Sequence, residues 1–375
     1  MEVVLGFFGL ESLSGGGTYT LTVAEQLQRL GHEVTVFGLY EGEAADSGRE
    51  RGLRIVFEEG ALPTACDAVL AGDQMTSLAL AERFPTAPQV FVMIAEEDWG
   101  FTVPPQVPGV VEAVLVKHDR VERAARALSV RPQIVRLRQP VDLRRFAPIT
   151  PIRERPERVL LFGNYLSGPR RSVVEEVCAD AGLECLHVGG DAASRTPEAT
   201  IAEADIVIGK ARTIVEAMAC GRAAYVYDVQ GGDGWVTPER YPLLEADNFG
   251  GQAEPAGIDA ERFRADLAAY RPEMGIANRD LAVANHSAAK HVHALVELFE
   301  RVGAPRPPPA DCVRELARQA RLQWATQAHA RGLEHHYGQL QERILSAEAA
   351  VERQAAEIEE LRRRCAELSG RLAEP

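Results

Sequence analysis

Residues 204–228 carry the most informative pattern in this 375-residue chain. They read as a strand, a glycine turn, a helix, a glycine stop and a second strand, with Glu216 inside the otherwise apolar helix. Because a buried carboxylate without a partner is costly, Glu216 is expected to bind either the two vicinal hydroxyls of a ribose or a local arginine. Lys210, Arg212, Thr213 and the backbone N–H groups at the start of this helix are suited to hold phosphate.

A second loop has the composition of a phosphate site. It opens with Gly163 and Asn164 after an apolar run, and it leads into a helix that begins near Arg170 and Arg171. Arginine pairs with two phosphate oxygens at once and stabilises negative charge on a departing diphosphate. The loop is therefore predicted to cradle a diphosphate, and two solvent-exposed arginines are the alternative interpretation.

The glycine turn Ser14–Thr18 follows the first apolar run and opens a helix. Gly16 and Gly17 let the backbone approach a bound group, and the helix N-terminus favours negative charge. The turn lacks the third glycine of a dinucleotide-binding motif, because Thr20 stands three residues after Gly17. It predicts either an anion-binding turn or a tight connection between strand and helix.

Acidic and imidazole side chains follow two further apolar runs. Glu96, Glu97 and Asp98 come after one run, and His118 follows the next. Doubly wound sheets bind ligands at such strand ends, and three adjacent acids repel one another, which favours the raised pKa of a general base. Glu97, Asp98 and His118 are therefore candidate catalytic residues, with a solvated acidic loop as the alternative for the acids.

The elements that must position these residues alternate along the chain. Apolar runs separated by segments of helical period, up to about residue 228, are typical of parallel sheets covered on both faces. The runs fall into two sets, which predict two Rossmann-like doubly wound α/β domains. The runs are Val3–Phe8, Glu33–Phe37, Arg54–Phe57, Ala68–Ala71, Val90–Ile94, Ala113–Lys117 and Gln133–Leu137, then Val159–Phe162, Leu186–Val188, Ile206–Ile208 and Ala223–Tyr227.

Prolines near residue 150 mark the expected boundary between the two domains. The first is expected to span 1–150 and the second 151–302, ending in the amphipathic helical segment Asn278–Arg301. Residues 303–310 read as a stiff proline-rich linker. Residues 311–375 are expected to form a helical tail.

The tail carries a heptad seam from Leu340 to Leu372, in which apolar positions alternate by four and three with Glu and Arg between them. Gln354 and Cys365 interrupt the seam and would set its register. The pattern predicts a coiled coil that forms a parallel homodimer or docks on a partner. A single exposed amphipathic helix is the alternative, although it would leave a large apolar face in water.

Composition excludes several classes of function. The chain has 41 Lys and Arg against 55 Asp and Glu, a net charge of −14, so electrostatic binding to the phosphates of nucleic acid is not expected. No apolar run reaches the roughly 20 residues that span a bilayer, and the N-terminus reads as a strand. Six singly scattered cysteines indicate neither a disulfide framework nor a zinc site. A cytoplasmic location is expected, and a peripheral place at the inner face of the membrane stays open.

Four stretches resemble the GT-B glycosyltransferases, particularly those of the broad family 4 type. Gly15–Gly17 with Leu27–Val36 looks like the family's N-terminal opening, and Pro140–Pro148 closely matches its interdomain signature Gly-Val-Asp-x-x-x-Phe-x-Pro. Val159–Gly163 is similar to the first strand of the donor domain. Glu216–Arg222, followed by Asp-Val-Gln-Gly-Gly, resembles the donor-site helix and the loop after it.

The resemblance implies a GT-B fold, in which two Rossmann-like domains face a cleft that holds a nucleotide-sugar donor. Glu216 would bind the ribose, Gly163 with Arg170 and Arg171 would face the diphosphate, and Gly16 would approach from the first domain. The last helix of the second domain would return towards the first. No metal or other cofactor is implied, and an unknown glycan, lipid or small-molecule acceptor would lie against the first domain.

The chain departs from the family at positions that bear on mechanism. The family usually has Glu-x7-Glu, but Ile208 stands eight residues before Glu216, and the shortened loop is closer to the Gly-x-x-Thr-x-x-Glu arrangement of lipid-linked peptidoglycan GlcNAc transferases. Asn164 replaces the usual arginine, and acids stand where the family has its N-terminal histidine. Such an acid acting as a base would suit inversion of the sugar rather than retention.

The sequence therefore predicts a metal-independent glycosyltransferase that uses a nucleoside-diphosphate sugar in cell-envelope or metabolite glycosylation. Two other interpretations stay open. One is a catalytically inactive GT-B scaffold that assembles through the coiled coil, and the other is a sugar-nucleotide epimerase.

Overall fold

The computed structural model describes residues 1–96, 101–164, 166, 168–189, 192–228, 231–254, 258–330, 332, 333, 340, 354 and 362. The chain divides into two units, Met1–Arg318 and Gln319–Pro375. The first unit contains two separate sheets. Residues 310–330, which span the division between the units, are helical. Within the described part, no helix has both the length and the apolar character that a membrane crossing requires.

The first sheet has seven strands, and every pairing in it is parallel. The elements of this domain are β1 (Glu2–Gly6), α1 (Gly15–Arg29), β2 (Glu33–Phe37), α2 (Glu43–Glu50), β3 (Arg54–Val56), β4 (Ala68–Ala71), α3 (Gln74–Arg83), β5 (Gln89–Met93), β6 (Ala113–Val116), α4 (Asp119–Ala127) and β7 (Gln133–Arg136). The strand order is β3-β2-β1-β4-β5-β6-β7, which reverses between β1 and β4. Strands β4, β5 and β6 are buried along their whole length, as expected of a sheet covered on both faces.

The second sheet has five strands in the order β12-β11-β10-β8-β9. Its domain comprises β8 (Arg158–Phe162), α5 (Gly168–Asp180), β9 (Glu184–Val188), α6 (Pro197–Glu203), β10 (Ile206–Gly209), α7 (Arg212–Ala219), β11 (Ala223–Asp228), β12 (Gly231–Trp235), α8 (Tyr241–Ala246), α9 (Ala260–Ala268), α10 (Glu273–Asn285) and α11 (Ala288–Val302). Alternate residues of the central strands pack into different cores: Leu160 and Val207 into one, Val159 and Ile206 into the other.

The predicted α/β architecture with two Rossmann-like domains is confirmed, and each predicted apolar run overlaps a strand. The antiparallel edge strand β12 was missed. Its sequence, Gly-Gly-Asp-Gly-Trp, has no apolar run, because only Trp235 packs into the core and the other residues are placed by pairing with the fully buried β11.

The helical segment predicted at Asn278–Arg301 is two helices, with a break at His286. His286 donates from Nδ1 to the Gln139 carbonyl (2.8 Å) and accepts at Nε2 from the Tyr241 hydroxyl (2.9 Å). Ser287 then caps the second helix. The break turns α11 towards the first domain, where His291 accepts a hydrogen bond of 3.0 Å from the Tyr19 hydroxyl in α1.

Candidate functional site

A cavity of about 320 Å³ lies between the two sheets of the first unit. The carboxyl ends of β8, β9, β10 and β11 reach it, together with the start of α1, and strand ends of this kind are where doubly wound sheets bind ligands. The lining residues are Ser12, Leu13, Ser14, Gly15, Thr18, Leu21, Thr22, Glu25, Arg51, Asp142, Arg145, Phe146, Phe162, Gly163, Asn164, Val188, Gly189, Ala193, Ser194, Arg195, Pro197, Lys210, Ala211, Arg212, Thr213, Glu216 and Asp228.

Glu216 borders the cavity from α7, and its side chain is buried, with 3% of its surface exposed. Its Oε1 accepts a hydrogen bond from Arg212 Nη1 one turn earlier, whereas Oε2 is buried without a hydrogen-bond partner. Burial raises the pKa of Glu216 above its ordinary value of 4.5, and Arg212 opposes the shift. Glu216 therefore has the arginine partner that was the alternative expectation. Its Oε2 is left to accept from the hydroxyls of a ligand.

The loop before α7 is closed by its own hydrogen bonds. Thr213 Oγ1 donates to the Lys210 carbonyl (2.8 Å) and accepts from the Lys210 N–H (3.2 Å). Ala211 has a positive φ of 51° with ψ −123°, a sparsely populated backbone conformation that costs a non-glycine residue about 1–3 kcal/mol. Lys210 Nζ lies 3.9 Å from the Asp228 carboxylate. Thr213 thus shapes the loop, while Lys210 and Arg212 bring positive charge to the cavity.

Gly163 and Asn164 line the cavity, but Arg170 and Arg171 do not. Arg170 Nη1 donates to the Asp228 carbonyl at 3.1 Å, so this arginine supports a residue that lines the cavity. Arg171 pairs with Glu175 on its own helix (2.7 Å). The diphosphate cradle expected here therefore has its glycine but neither arginine at the cavity wall.

The glycine turn at the start of α1 is a packed connection. Ser14 Oγ accepts from the Gly17 N–H at 3.1 Å and so caps the helix. A Cβ on Gly16 would lie 2.3 Å from the Phe7 ring, so only glycine fits there. Gly16 and Gly17 do not line the cavity, whereas Gly15 does.

Of the acids proposed as bases, Glu97 and Asp98 lie outside the described residues. Their neighbour Glu96 accepts from Arg120 Nε at 2.7 Å, and Arg120 also donates to Asp247 of the second domain at 3.0 Å. Arg120 therefore links Glu96, which follows β5, to the second domain.

His118 is buried at the N-cap of α4, and its Nδ1 has no hydrogen-bond partner. Burial, helped by the positive charges of Lys117 and Arg120, lowers the pKa of His118 to about 3. The imidazole is therefore neutral at physiological pH, and it is not among the residues that line the cavity.

Several cavity residues were not foreseen from the sequence, notably Glu25, Arg51, Asp142, Arg145 and Arg195. Asp142 and Arg145 lie within the stretch 140–148 that resembles an interdomain signature, so a local signal for them existed. The others depend on contacts between distant segments. Arg51, for example, pairs with Glu25 at 2.8 Å.

Arg195 lines the cavity from the second domain and pairs with acidic residues of the first domain. Its Nη1 lies 2.7 Å from Glu50, and Glu43 and Asp46 of the same helix α2 lie 3.7 and 3.8 Å from other guanidinium nitrogens. All four side chains are at least 38% exposed, so the pairs are screened by solvent.

Replacing Arg195 by glutamine should therefore lower the free energy of unfolding by no more than about 1 kcal/mol. The loss should disappear in 1 M salt, where screening acts over about 3 Å. Urea denaturation at two salt concentrations measures both. Arg264→Gln, which breaks an exposed pair with Asp180 inside the second domain, is the matched control, and a loss above about 2 kcal/mol for Arg195→Gln would show that the contact does more than a surface ion pair.

No protein-family model and no curated protein matches this sequence. Solved structures resemble its fold. HepE of Anabaena in complex with UDP and glucose gives a TM-score of 0.53 at 12% identity, covering 80% of this chain and 100% of the other. The same protein in complex with UDP-glucose gives 0.52 at 11% identity, with the same coverage.

A glycosyltransferase from Rickettsia africae gives a TM-score of 0.51 at 13% identity, covering 80% of this chain and 98% of the other. At such low identity the likeness bears on the fold alone. These neighbours are GT-B glycosyltransferases. The chain therefore has the GT-B fold.

Proposed function

We propose that this protein is a glycosyltransferase, similar to family 4, that moves a sugar from a nucleoside-diphosphate sugar to an acceptor. The observation that carries the proposal is the buried carboxylate of Glu216 at the interdomain cavity, with Oε2 lacking a partner and Arg212 alongside. A carboxylate accepts hydrogen bonds from both hydroxyls of a vicinal diol, so the ribose of a nucleotide suits this position. The GT-B fold supports the same conclusion.

In this proposal the second domain holds the donor. Glu216 binds the ribose, Gly163 and Asn164 border the diphosphate, and Lys210 and Arg212 supply positive charge. UDP-glucose is the first donor to test, because HepE, a neighbour in fold, has been solved in complex with it.

The chemistry follows from this placement. The bond between the anomeric carbon and the diphosphate breaks as an acceptor oxygen bonds to that carbon, through an oxocarbenium-like transition state. The negative charge that develops on the departing diphosphate is stabilised by Lys210, Arg212 and the N-terminus of α7. In an inverting reaction Glu97 or Asp98, the candidate bases, would take the proton that the acceptor hydroxyl loses. No metal or other cofactor takes part in this scheme, so EDTA should leave the rate of transfer unchanged.

The acceptor would enter from the first domain. Its side of the cavity presents the hydroxyl side chains of Ser12, Ser14, Thr18 and Thr22. Hydroxyls both donate and accept hydrogen bonds, which suits a hydroxylated glycan, lipid headgroup or small metabolite of cell-envelope or secondary metabolism.

Product analysis separates this proposal from the two alternatives. A catalytically inactive scaffold gains some support from the internal partners of Glu216 and Thr213, and it would bind no nucleotide. An epimerase would release free sugar or an epimer without any acceptor. Chromatography of nucleotide, free sugar and glycosylated product after incubation with UDP-glucose distinguishes all three.

We also propose that the tail beyond the linker at 303–310 forms a parallel coiled-coil dimer. Most of the seam Leu340–Leu372 lies outside the described residues. The two seam positions that the structure describes, Leu340 and Gln354, are helical. Replacing Ile344 and Ile358 together by aspartate places charges in the seam, so light scattering should report the mass of one chain instead of two. Arg353→Asp, which lies off the seam, should keep the dimer, and a monomeric wild type would contradict the proposal.

A further inference from the structure

Arg120, in the first turn of α4, bridges the two domains with a defined geometry. Its Nε and Nη2 donate to the two carboxylate oxygens of Glu96, the first at 2.7 Å, and its Nη1 donates to Asp247 Oδ1 at 3.0 Å. Only 18% of the Arg120 side chain and 9% of the Asp247 side chain are exposed. Because a bidentate contact fixes the plane of a guanidinium, Arg120 holds Asp247 in one place relative to the first domain.

Asp247 is the first residue after α8, and its carboxylate also closes the turn that follows. Its Oδ2 accepts from the Gln252 N–H at 3.1 Å. Gly250 leaves room for this arrangement, since a Cβ at that position would lie 2.9 Å from Asp247 Oδ2 and 3.3 Å from Arg120 Nη1. One carboxylate therefore connects the Arg120 guanidinium to the backbone of residues 247–252.

The 247–252 turn contacts the candidate donor site through Phe249. This residue is fully buried, and its carbonyl accepts from the Ala211 N–H at 3.0 Å. Phe249 and Ala211 both have a positive φ, of 53° and 51°, and such conformations persist in non-glycine residues only where the surrounding contacts hold them. Ala211 stands between Lys210 and Arg212, and all three line the cavity. A shift of the turn would therefore move the peptide between the two cations.

A second bridge between the same domains lacks this connection. Arg136 pairs with Asp119 of the first domain at 2.8 Å and with Glu245 of the second at 2.7 Å. The Glu245 carboxylate also pairs with Arg138 at 3.3 Å, but it accepts no hydrogen bond from residues 247–252, all of which the structure describes. Arg136 thus provides a matched comparison for Arg120.

We propose that Arg120 is a positioning residue for donor binding, which acts across the domain boundary through Asp247 and Phe249 on the Ala211 peptide at the start of α7. Arg120 itself does not line the cavity. The inference rests on the proposed function, in which the N-terminus of α7 and its two cations meet the diphosphate. It makes the affinity for the donor depend on a side chain of the first domain that touches no part of the ligand.

Arg120→Gln tests this role, because glutamine removes the charge and cannot reach both carboxylates with a planar fork. In calorimetric titration of the full-length protein, the affinity for UDP should fall about 10-fold, a typical size for coupling through packed contacts. Uridine, which has no phosphate, should bind the variant and the wild type equally. Arg136→Gln should leave the affinity for UDP unchanged.

Asp247→Asn tests the route from Arg120 to the turn. Its affinity for UDP should fall by the same factor as that of Arg120→Gln. The double variant should bind UDP no more weakly than either single variant, because two members of one connection are not additive. A double variant whose loss is the product of the two single losses would show that the residues act independently, and it would overturn the proposed route.

The outcomes separate this inference from the proposed function. Equal UDP affinity in wild type and Arg120→Gln would overturn the positioning role and leave the proposed function intact. An equal loss for uridine, or the same loss in Arg136→Gln, would indicate a general effect on the domains and would also overturn it. A wild type that does not bind UDP would overturn the proposed function and this inference together. If Arg120→Gln fails to fold, Asp247→Asn takes its place in these comparisons, and wild-type UDP affinity in that variant overturns the role.

Discussion

Glu216→Gln should weaken the binding of a nucleoside-diphosphate sugar about 100-fold. The substitution keeps the shape of the side chain but removes the negative charge, and hydrogen bonds to a charged group contribute about 1.5–3 kcal/mol each. The amide can turn its carbonyl oxygen to Arg212, and its N–H₂ group then takes the place of Oε2, where the diol needs an acceptor. Calorimetric titration of UDP measures the loss. The same titration with 2′,3′-dideoxy-UDP should show no difference between wild type and variant, because that ligand lacks the diol.

The pH dependence of UDP binding gives an independent test of the same carboxylate. Because burial raises the pKa of Glu216 above 4.5, the group becomes protonated at a higher pH than an exposed glutamate. A protonated carboxyl accepts the diol less well, so UDP affinity should fall as the pH is lowered through the raised pKa. This dependence should be absent in Glu216→Gln. Glu203→Gln, at an exposed site, is the control, and a Glu216→Gln variant that binds UDP like wild type would contradict the assignment.

Asp205→Ala should lower the free energy of unfolding by about 3–5 kcal/mol. The carboxylate is fully buried. It accepts hydrogen bonds from the backbone N–H groups of Arg153, Glu157 and Arg158 and from the Arg153 guanidinium. Alanine would leave these donors without a partner in the segment that leads from the first domain into β8. Urea denaturation of the variant measures the loss.

Asp259→Ala provides a graded control for that measurement. Asp259 caps α9 by accepting one hydrogen bond from the Arg262 N–H at 2.8 Å, close to solvent. Loss of a cap of this kind costs about 1 kcal/mol. Equal losses in the two variants would mean that the Asp205 network does not hold the domain connection.

Local sequence signals were enough to predict most of the fold. Strands such as β10, and β8 after its first residue Arg158, are apolar because both faces of the sheet are covered, and this pattern can be read without knowing the neighbours. Glu216 was identifiable for the same reason, since a carboxylate inside an apolar helix stands out. The strand β12 was not predictable, because its glycines carry no such pattern.

The rest of the candidate site depends on long-range contacts. Arg51 carries no motif, and only the fold brings it within 2.8 Å of Glu25. Arg195 stands in a loop without a motif and contacts a helix some 145 residues earlier in the chain. Conversely, Arg171 looked like a phosphate ligand from its place after a glycine loop, but it pairs with Glu175 one turn later on the same helix.

The most direct test of a donor site between the two domains is the binding of nucleotide-sugars to the purified full-length protein. We would titrate UDP-, GDP- and dTDP-glucose by calorimetry and follow the melting temperature of each mixture. If the cleft holds a donor site, one base should give saturable binding with a raised melting temperature, because a ligand that binds only the folded state stabilises it. A well-folded sample that binds none of the three would contradict a donor site in this cleft and leave the scaffold interpretation in its place.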